Sequence, residues 1–147
     1  MTTTFAQLGV PQDLIDALAS QGIESPFAIQ ILAIGDAMAR RDVCGKAKTG
    51  SGKTLAFSLP AIAHTERNQQ GNPTTLVLTP TRELANQIAG VVGPLADVRK
   101  LRPIAVYGGT NIDKQIETIA KGIDIIIAII TIGVVFHIPS RQRAIHC

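Results

Sequence analysis

The chain has 147 residues, 46% of them apolar and 17% charged, with a formal net charge of +3. That length and apolar content suffice for one domain with a buried core, and they exclude a disordered chain. Four Phe, one Tyr and no Trp exclude a protein that reads nucleic acid chiefly by stacking bases. If the positive charge serves a nucleic acid, contacts to its backbone rather than to its bases are expected.

The start, MTTTFAQLGV, has neither the basic nor the apolar segment of a signal peptide, so a cytoplasmic protein is expected. VPQDLIDALASQG predicts a short helix with Pro11 near its start and Gly22 as its stop. SPFAIQILAIGDAMAR predicts a second, with Ser25 as N-cap and Pro26 at the first helical position. DVCGKA predicts a short strand running into a glycine-rich loop, with Cys44 as a small core residue. KTLAFSLPAIAH is the helix after that loop, and the polar stretch from Thr65 to Pro73 is a surface loop.

TTLVLTP predicts a strand and TRELANQIAGVV a helix that Gly93 and Pro94 break. LRPIAVYGG predicts a strand ending in two glycines, NIDKQIETIAKG a helix, and IDIIIAII a buried strand. The apolar run from Ile123 to Pro139 is interrupted by Asp124, Thr131 and His137, too soon for a membrane helix. Alternating strands and helices predict an α/β fold with a parallel sheet flanked by helices. The two cysteines make no disulfide framework, and His64, His137 and His146 share no metal-ligand spacing.

AKTGSGKT, residues 47–54, carries the chemistry. Gly50 and Gly52 let the backbone curl around an oxyanion without Cβ clashes. The loop amides and the N-terminus of the following helix then face the same negative charge. Lys53 can reach the β- and γ-phosphates of a nucleotide, and the Thr54 hydroxyl can ligate Mg²⁺.

With its flanking residues, the sequence resembles the first RecA-like domain of the DEAD-box ATP-dependent RNA helicases. GIESPFAIQ is similar to that family's Q motif, with Phe5 upstream at the spacing of its isolated aromatic. AKTGSGKT has the family's form of the phosphate loop, PTRELANQ resembles its RNA-binding motif, and YGG resembles the glycine pair after the third strand. The resemblance runs from Phe5 to about Ala128 and implies a RecA-like P-loop NTPase domain, incomplete at its C-terminal end. It divides the chain into a helical extension with a Q-motif-like segment (1–40), a partial RecA-like domain (41–128) and a departing tail (129–147).

It further implies ATP and Mg²⁺ as cofactors. Phe5 and Gln30 would meet adenine. Ala47, Thr49, Gly50, Ser51, Gly52, Lys53 and Thr54 would meet the phosphates, with Lys53 and Thr54 as catalytic groups and Thr54 on Mg²⁺. Pro80, Thr81, Arg82, Gly108 and Gly109 would face an RNA backbone. Gln30 has the donor and acceptor that adenine's N6 and N7 require, although a surface glutamine is the alternative. Arg82 at the end of a strand suits phosphates, although pairing with a local acid is the alternative.

The family's TPGR is absent after Ala128, where IITIGVVFHIPSRQRAIHC follows. Thr131 and Gly133 can be read as a displaced remnant, while Arg141 and Arg143 fit no motif. Hydrolysis needs one carboxylate on Mg²⁺ and another to orient water, yet no two acidic residues stand side by side. Asp124 lies at the wrong end of its strand. These gaps predict a module unable to hydrolyse ATP or unwind RNA alone, without a membrane span, and lacking a second helicase domain. A non-enzymatic interaction fragment and an ATPase completed by a partner protein are the alternatives. Missing sheet partners would leave IIIAII an unpaired edge.

Overall fold

The computed structural model describes residues 3–67, 72–109 and 111–130, which divide into two compact units, the chain passing from the first to the second between His64 and Thr65. The first contains α1 (Gln12–Ser20), α2 (Ala28–Met38) and α3 (Lys53–His64). Pro11 caps α1 from outside, where its missing N–H costs nothing. Gly22, at φ +76°, ends that helix as the sequence predicts. The N–H of Ile23 reaches back to Leu18 O at 2.9 Å there.

Two sequence expectations fail in this unit. α2 starts at Ala28, with Phe27 as N-cap, leaving Ser25 and Pro26 outside. The Gln30 side chain decides the start, because its Oε1 accepts the Phe27 N–H at 2.8 Å and satisfies a donor that the helix cannot. Residues 42–47 form no strand among the described residues, and Cys44 is exposed rather than in the core. A strand exists through its ladder partners, and none of the described strands pairs with this stretch.

α2 and α3 pack on each other, burying Ile34, Leu59 and Ile62. Complete burial of such a side chain contributes about 1.5–3 kcal/mol. At the far end of α3, His64 Nε2 lies 3.1 Å from Met38 O, tying the two helix ends together.

The second unit contains β1 (Thr75–Thr79), α4 (Arg82–Val98), β2 (Pro103–Val106), α5 (Ile112–Ala120) and β3 (Ile125–Ile129). All pairings are parallel, in the order β1–β3–β2, with Val77 opposite Ile127 and Ala105 opposite Ile127 on the other side. The expected orphan strand is therefore the central one, hydrogen-bonded on both edges. Its Ile125 and Ile127 are buried, while Ile126 is only half-buried.

α4 packs across all three strands and passes through Gly93 and Pro94 without breaking. Pro94 removes one helical hydrogen bond, but Val92, Leu95 and Ala96 around it are buried at 2%, 1% and 0% exposure. Their packing outweighs the lost bond. The helix stops where Lys100 turns left-handed, φ 56°, and Leu101 N–H reaches Ala96 O at 3.0 Å. Before β3, buried Asp124 accepts the Arg102 N–H at 2.9 Å and lies 3.5 Å from its guanidinium. The carboxylate thus secures the strand starts, at the edge opposite the one where parallel sheets bind ligands. Residues 131–147, including Thr131, Gly133, Arg141 and Arg143, lie outside the described residues. No described helix is long and apolar enough to cross a membrane.

Candidate functional site

Each unit carries one cluster of the residues that the sequence singles out. In the first, residues 47–52 form a turn that runs into the N-terminus of α3. Gly50 and Gly52 adopt φ +80° and +84°, the left-handed region that side chains disfavour by about 1–2 kcal/mol. A Cβ on Gly52 would lie 2.5 Å from Gln30 Nε2 and 2.8 Å from Phe27 Cδ2, so a larger residue must displace one of those side chains. Lys53 folds back over the loop, its Nζ donating to Ala47 O at 2.5 Å and Lys48 O at 2.9 Å. Its charge therefore stands over the turn, held by carbonyls that an incoming anion can replace as partners.

The residues suit a nucleotide on further grounds. Ser51 Oγ is buried and has no hydrogen-bond partner among the described residues, an orphan that costs about 1–3 kcal/mol until a ligand or water meets it. Gln30 is 2% exposed and donates through Nε2 to Gly52 O at 3.0 Å. With one N–H used there and one Oε1 lone pair on Phe27 N–H, a second donor and a second acceptor remain on the amide.

An open cavity of about 490 Å³ adjoins the loop, lined by Phe27, Ala28, Ile29, Leu32, Lys46, Ala47, Gly50 and Ser51. It lies within the range of small-molecule sites. Phe27 and Leu32 are exposed at 60% and 75%, so the start of α2 and its cap present bare apolar surface beside the glycine-rich loop. The sequence does not single out either residue or Lys46 as a site residue: α2 is apolar all round, and periodicity cannot tell which face stays uncovered. Phe5, expected beside a base, is 2% exposed, a core residue like Leu14 and Leu18.

In the second unit, Pro80 and Thr81 are exposed after β1, and Thr81 Oγ1 caps α4 by accepting the Leu84 N–H at 3.2 Å. Arg82, the first residue of that helix, sends Nη2 to Gly108 O, and its guanidinium lies 5.3 Å from the centre of the Tyr107 ring. Neighbouring strands are about 4.8 Å apart, and β3 lies between β1 and β2. Arg82 thus spans the end of β3 to join the turn after β1 to the turn after β2. Among the described residues it pairs with no acid. At Gly109, φ +78°, a Cβ would overlap the Arg82 guanidinium and push it aside.

Two further members are not singled out as site residues in the sequence. Asn86, one helical turn after Arg82 and within PTRELANQ, accepts the Tyr107 hydroxyl at 3.1 Å through Oδ1. Gln115 meets the Tyr107 backbone and has no signal in the sequence. Among the described residues no group of three His, Cys, Asp or Glu could hold a metal ion.

The profile of the DEAD/DEAH box helicases matches residues 27–145. The chain belongs to that family. The match runs past Ala128, beyond the last motif legible in the sequence. The pre-mRNA-processing ATP-dependent RNA helicase prp-5 of Neurospora crassa is 41% identical over 128 residues, which are 84% of this chain and 11% of that protein. RNA helicase CrhR of Synechocystis is 37% identical over 143 residues, 97% of this chain and 28% of the relative. The ADP-bound crystal structure of the RNA helicase Prp28 from Chaetomium thermophilum superposes with a TM-score of 0.79 at 35% identity, covering 87% of this chain and 32% of that one. The fold is therefore a RecA-like DEAD-box helicase domain, and the chain spans about a third or less of the relatives it matches.

Proposed function

We propose that the chain is the ATP-binding, RNA-backbone-binding first module of a DEAD-box RNA helicase, and that alone it neither hydrolyses ATP nor unwinds RNA. The phosphate loop carries this reading: two left-handed glycines, a buried orphan hydroxyl and Lys53 standing over the turn at the start of a helix. In this reading the amides from Ala47 to Gly52 hold the phosphates, Lys53 neutralises their charge, and Thr54 offers its hydroxyl to Mg²⁺. Bound Mg-ATP supplies the transferable phosphoryl group. Gln30 meets adenine with the donor and acceptor still free, whereas the buried Phe5 stays in the core.

Pro80, Thr81, Arg82, Gly108 and Gly109 face the RNA sugar-phosphate chain, where Arg82 and the exposed glycine backbone give affinity without sequence choice. Hydrolysis requires paired carboxylates and is assigned to a longer protein with a second domain. The proposed division stays at residues 1–40, 41–128 and 129–147, and the proposed location is the cytoplasm.

Thermal unfolding of the chain with and without millimolar Mg-ADP tests the nucleotide arm. A cooperative transition that rises with Mg-ADP in the parent, and fails to rise in Lys53→Ala, is expected. Equal nucleotide binding by parent and variant overturns it.

A further inference from the structure

The turn that receives Arg82 lies beyond the end of its own strand. β2 ends at Val106, paired with Ala128, so Tyr107 is the first residue past the ladder. Gln115, on α5, takes the place of a neighbouring strand there. Its Oε1 accepts the Tyr107 N–H at 3.2 Å and its Nε2 donates to Tyr107 O at 3.1 Å. One primary amide thereby satisfies both backbone groups of one residue, as a strand partner does.

This link matters because α5 has no buried side chain among the described residues to hold it. Ile112 and Ile116 are exposed at 62% and 58%. The helix is tied to the sheet edge by an amide rather than by an apolar face. On the other side of the turn, Asn86 fixes the Tyr107 ring through its hydroxyl. The ring and the Gly108 carbonyl in turn hold the Arg82 guanidinium. The chain of contacts runs Gln115, Tyr107 backbone, Tyr107 ring and Gly108 carbonyl, Arg82.

We propose that Gln115 is a positioning residue for the RNA-facing surface: it holds residues 107–109 so that Arg82 is presented to a phosphodiester at the strand ends. This rests on the RNA-binding reading above. An arginine on a long flexible stem gains affinity when its resting place is fixed in advance, because less freedom is lost on binding. Gln115 touches no RNA and acts only through Arg82.

The test is fluorescence anisotropy of a labelled uridine decamer with the whole chain as parent, Arg82→Ala, Gln115→Leu and the double variant, across a salt series. Gln115→Leu keeps the size and removes both hydrogen bonds. It is expected to weaken binding about fivefold, a common size for coupled contacts, and to flatten the salt dependence as Arg82→Ala does. In the Arg82→Ala background it is expected to add nothing. The thermal shift with Mg-ADP stays at the parent value.

Undiminished binding by Gln115→Leu when Arg82→Ala weakens it overturns the proposal, as does an equal loss in both backgrounds. Should Gln115→Leu fail to unfold cooperatively, Gln115→Glu is scored by the same cycle, since it keeps the acceptor and loses the donor. If the parent does not bind the decamer, or Arg82→Ala binds like the parent, the RNA-binding reading itself falls and Gln115 has nothing to position.

Discussion

In the glycine-rich loop Lys53 rests on the carbonyls of Ala47 and Lys48, six and five residues before it, whereas at the strand ends Arg82 rests on Gly108, 26 residues away. Both turns hold a cation against backbone carbonyls, and both need a left-handed glycine beside it, Gly52 and Gly109. The first is assembled within one loop and the helix that follows. The second exists only once β1, β3 and β2 are in register, because the arginine must cross the end of the middle strand. A local site stands or falls with its own residues, while a site built on register also depends on whatever fixes the strands and turns.

The largest expected effect breaks the local site alone. Lys53→Ala should abolish the nucleotide-induced rise in unfolding temperature, which at a hundredfold excess over Kd corresponds to about 2.7 kcal/mol. Calorimetry with Mg-ADP checks it, and RNA binding should persist.

Gly52→Ala combines a left-handed backbone with a Cβ that overlaps Gln30 and Phe27. It should destabilise the chain by about 2–3 kcal/mol, read from urea midpoints. Gly50→Ala shares the backbone cost, but its Cβ meets nothing within 4 Å, so it should cost about 1–2 kcal/mol. Equal losses at the two glycines would show that Gln30 and Phe27 yield freely.

The register-built site is broken from a distance. Asp124→Ala leaves the Arg102 N–H without its carboxylate acceptor at the starts of the strands and should cost about 1–3 kcal/mol. The urea midpoint should fall while the Mg-ADP increment is preserved.

The smallest effect on stability is expected at Gly109→Ala, about 1 kcal/mol, because the turn is exposed. The new Cβ displaces the Arg82 guanidinium, so RNA affinity should fall more than stability does. Anisotropy and unfolding measured on one preparation would separate the two.

The central strand shows where legibility in the sequence ends. Its β-branched run identifies a strand, but an absent partner motif reads as an exposed edge, and the fold instead pairs it on both sides. Asp42 to Ala47 fail in the reverse sense: Val43 and Cys44 suit a strand, yet no described strand pairs with them. Gly93 and Pro94 carry a strong local stop signal that the buried face of α4 overrides. Ser25 is a better cap than Phe27 by type, but the Gln30 side chain places the N-cap three residues before itself, at Phe27.

By itself the sequence determined what depends on a few neighbouring residues: the tight glycine turn before α3, with Gly50 and Gly52 left-handed, the stop at Gly22, and the alternation of strands and helices that marks an α/β chain. Only the tertiary structure decided which strand is central and that Arg82 meets Gly108 and Tyr107 rather than an acid. It alone brought in Asn86 and Gln115. Short-range conformation is set by steric and hydrogen-bonding preferences that each residue carries with it, whereas strand order and register come from burying apolar faces together, a property of pairs distant in the chain.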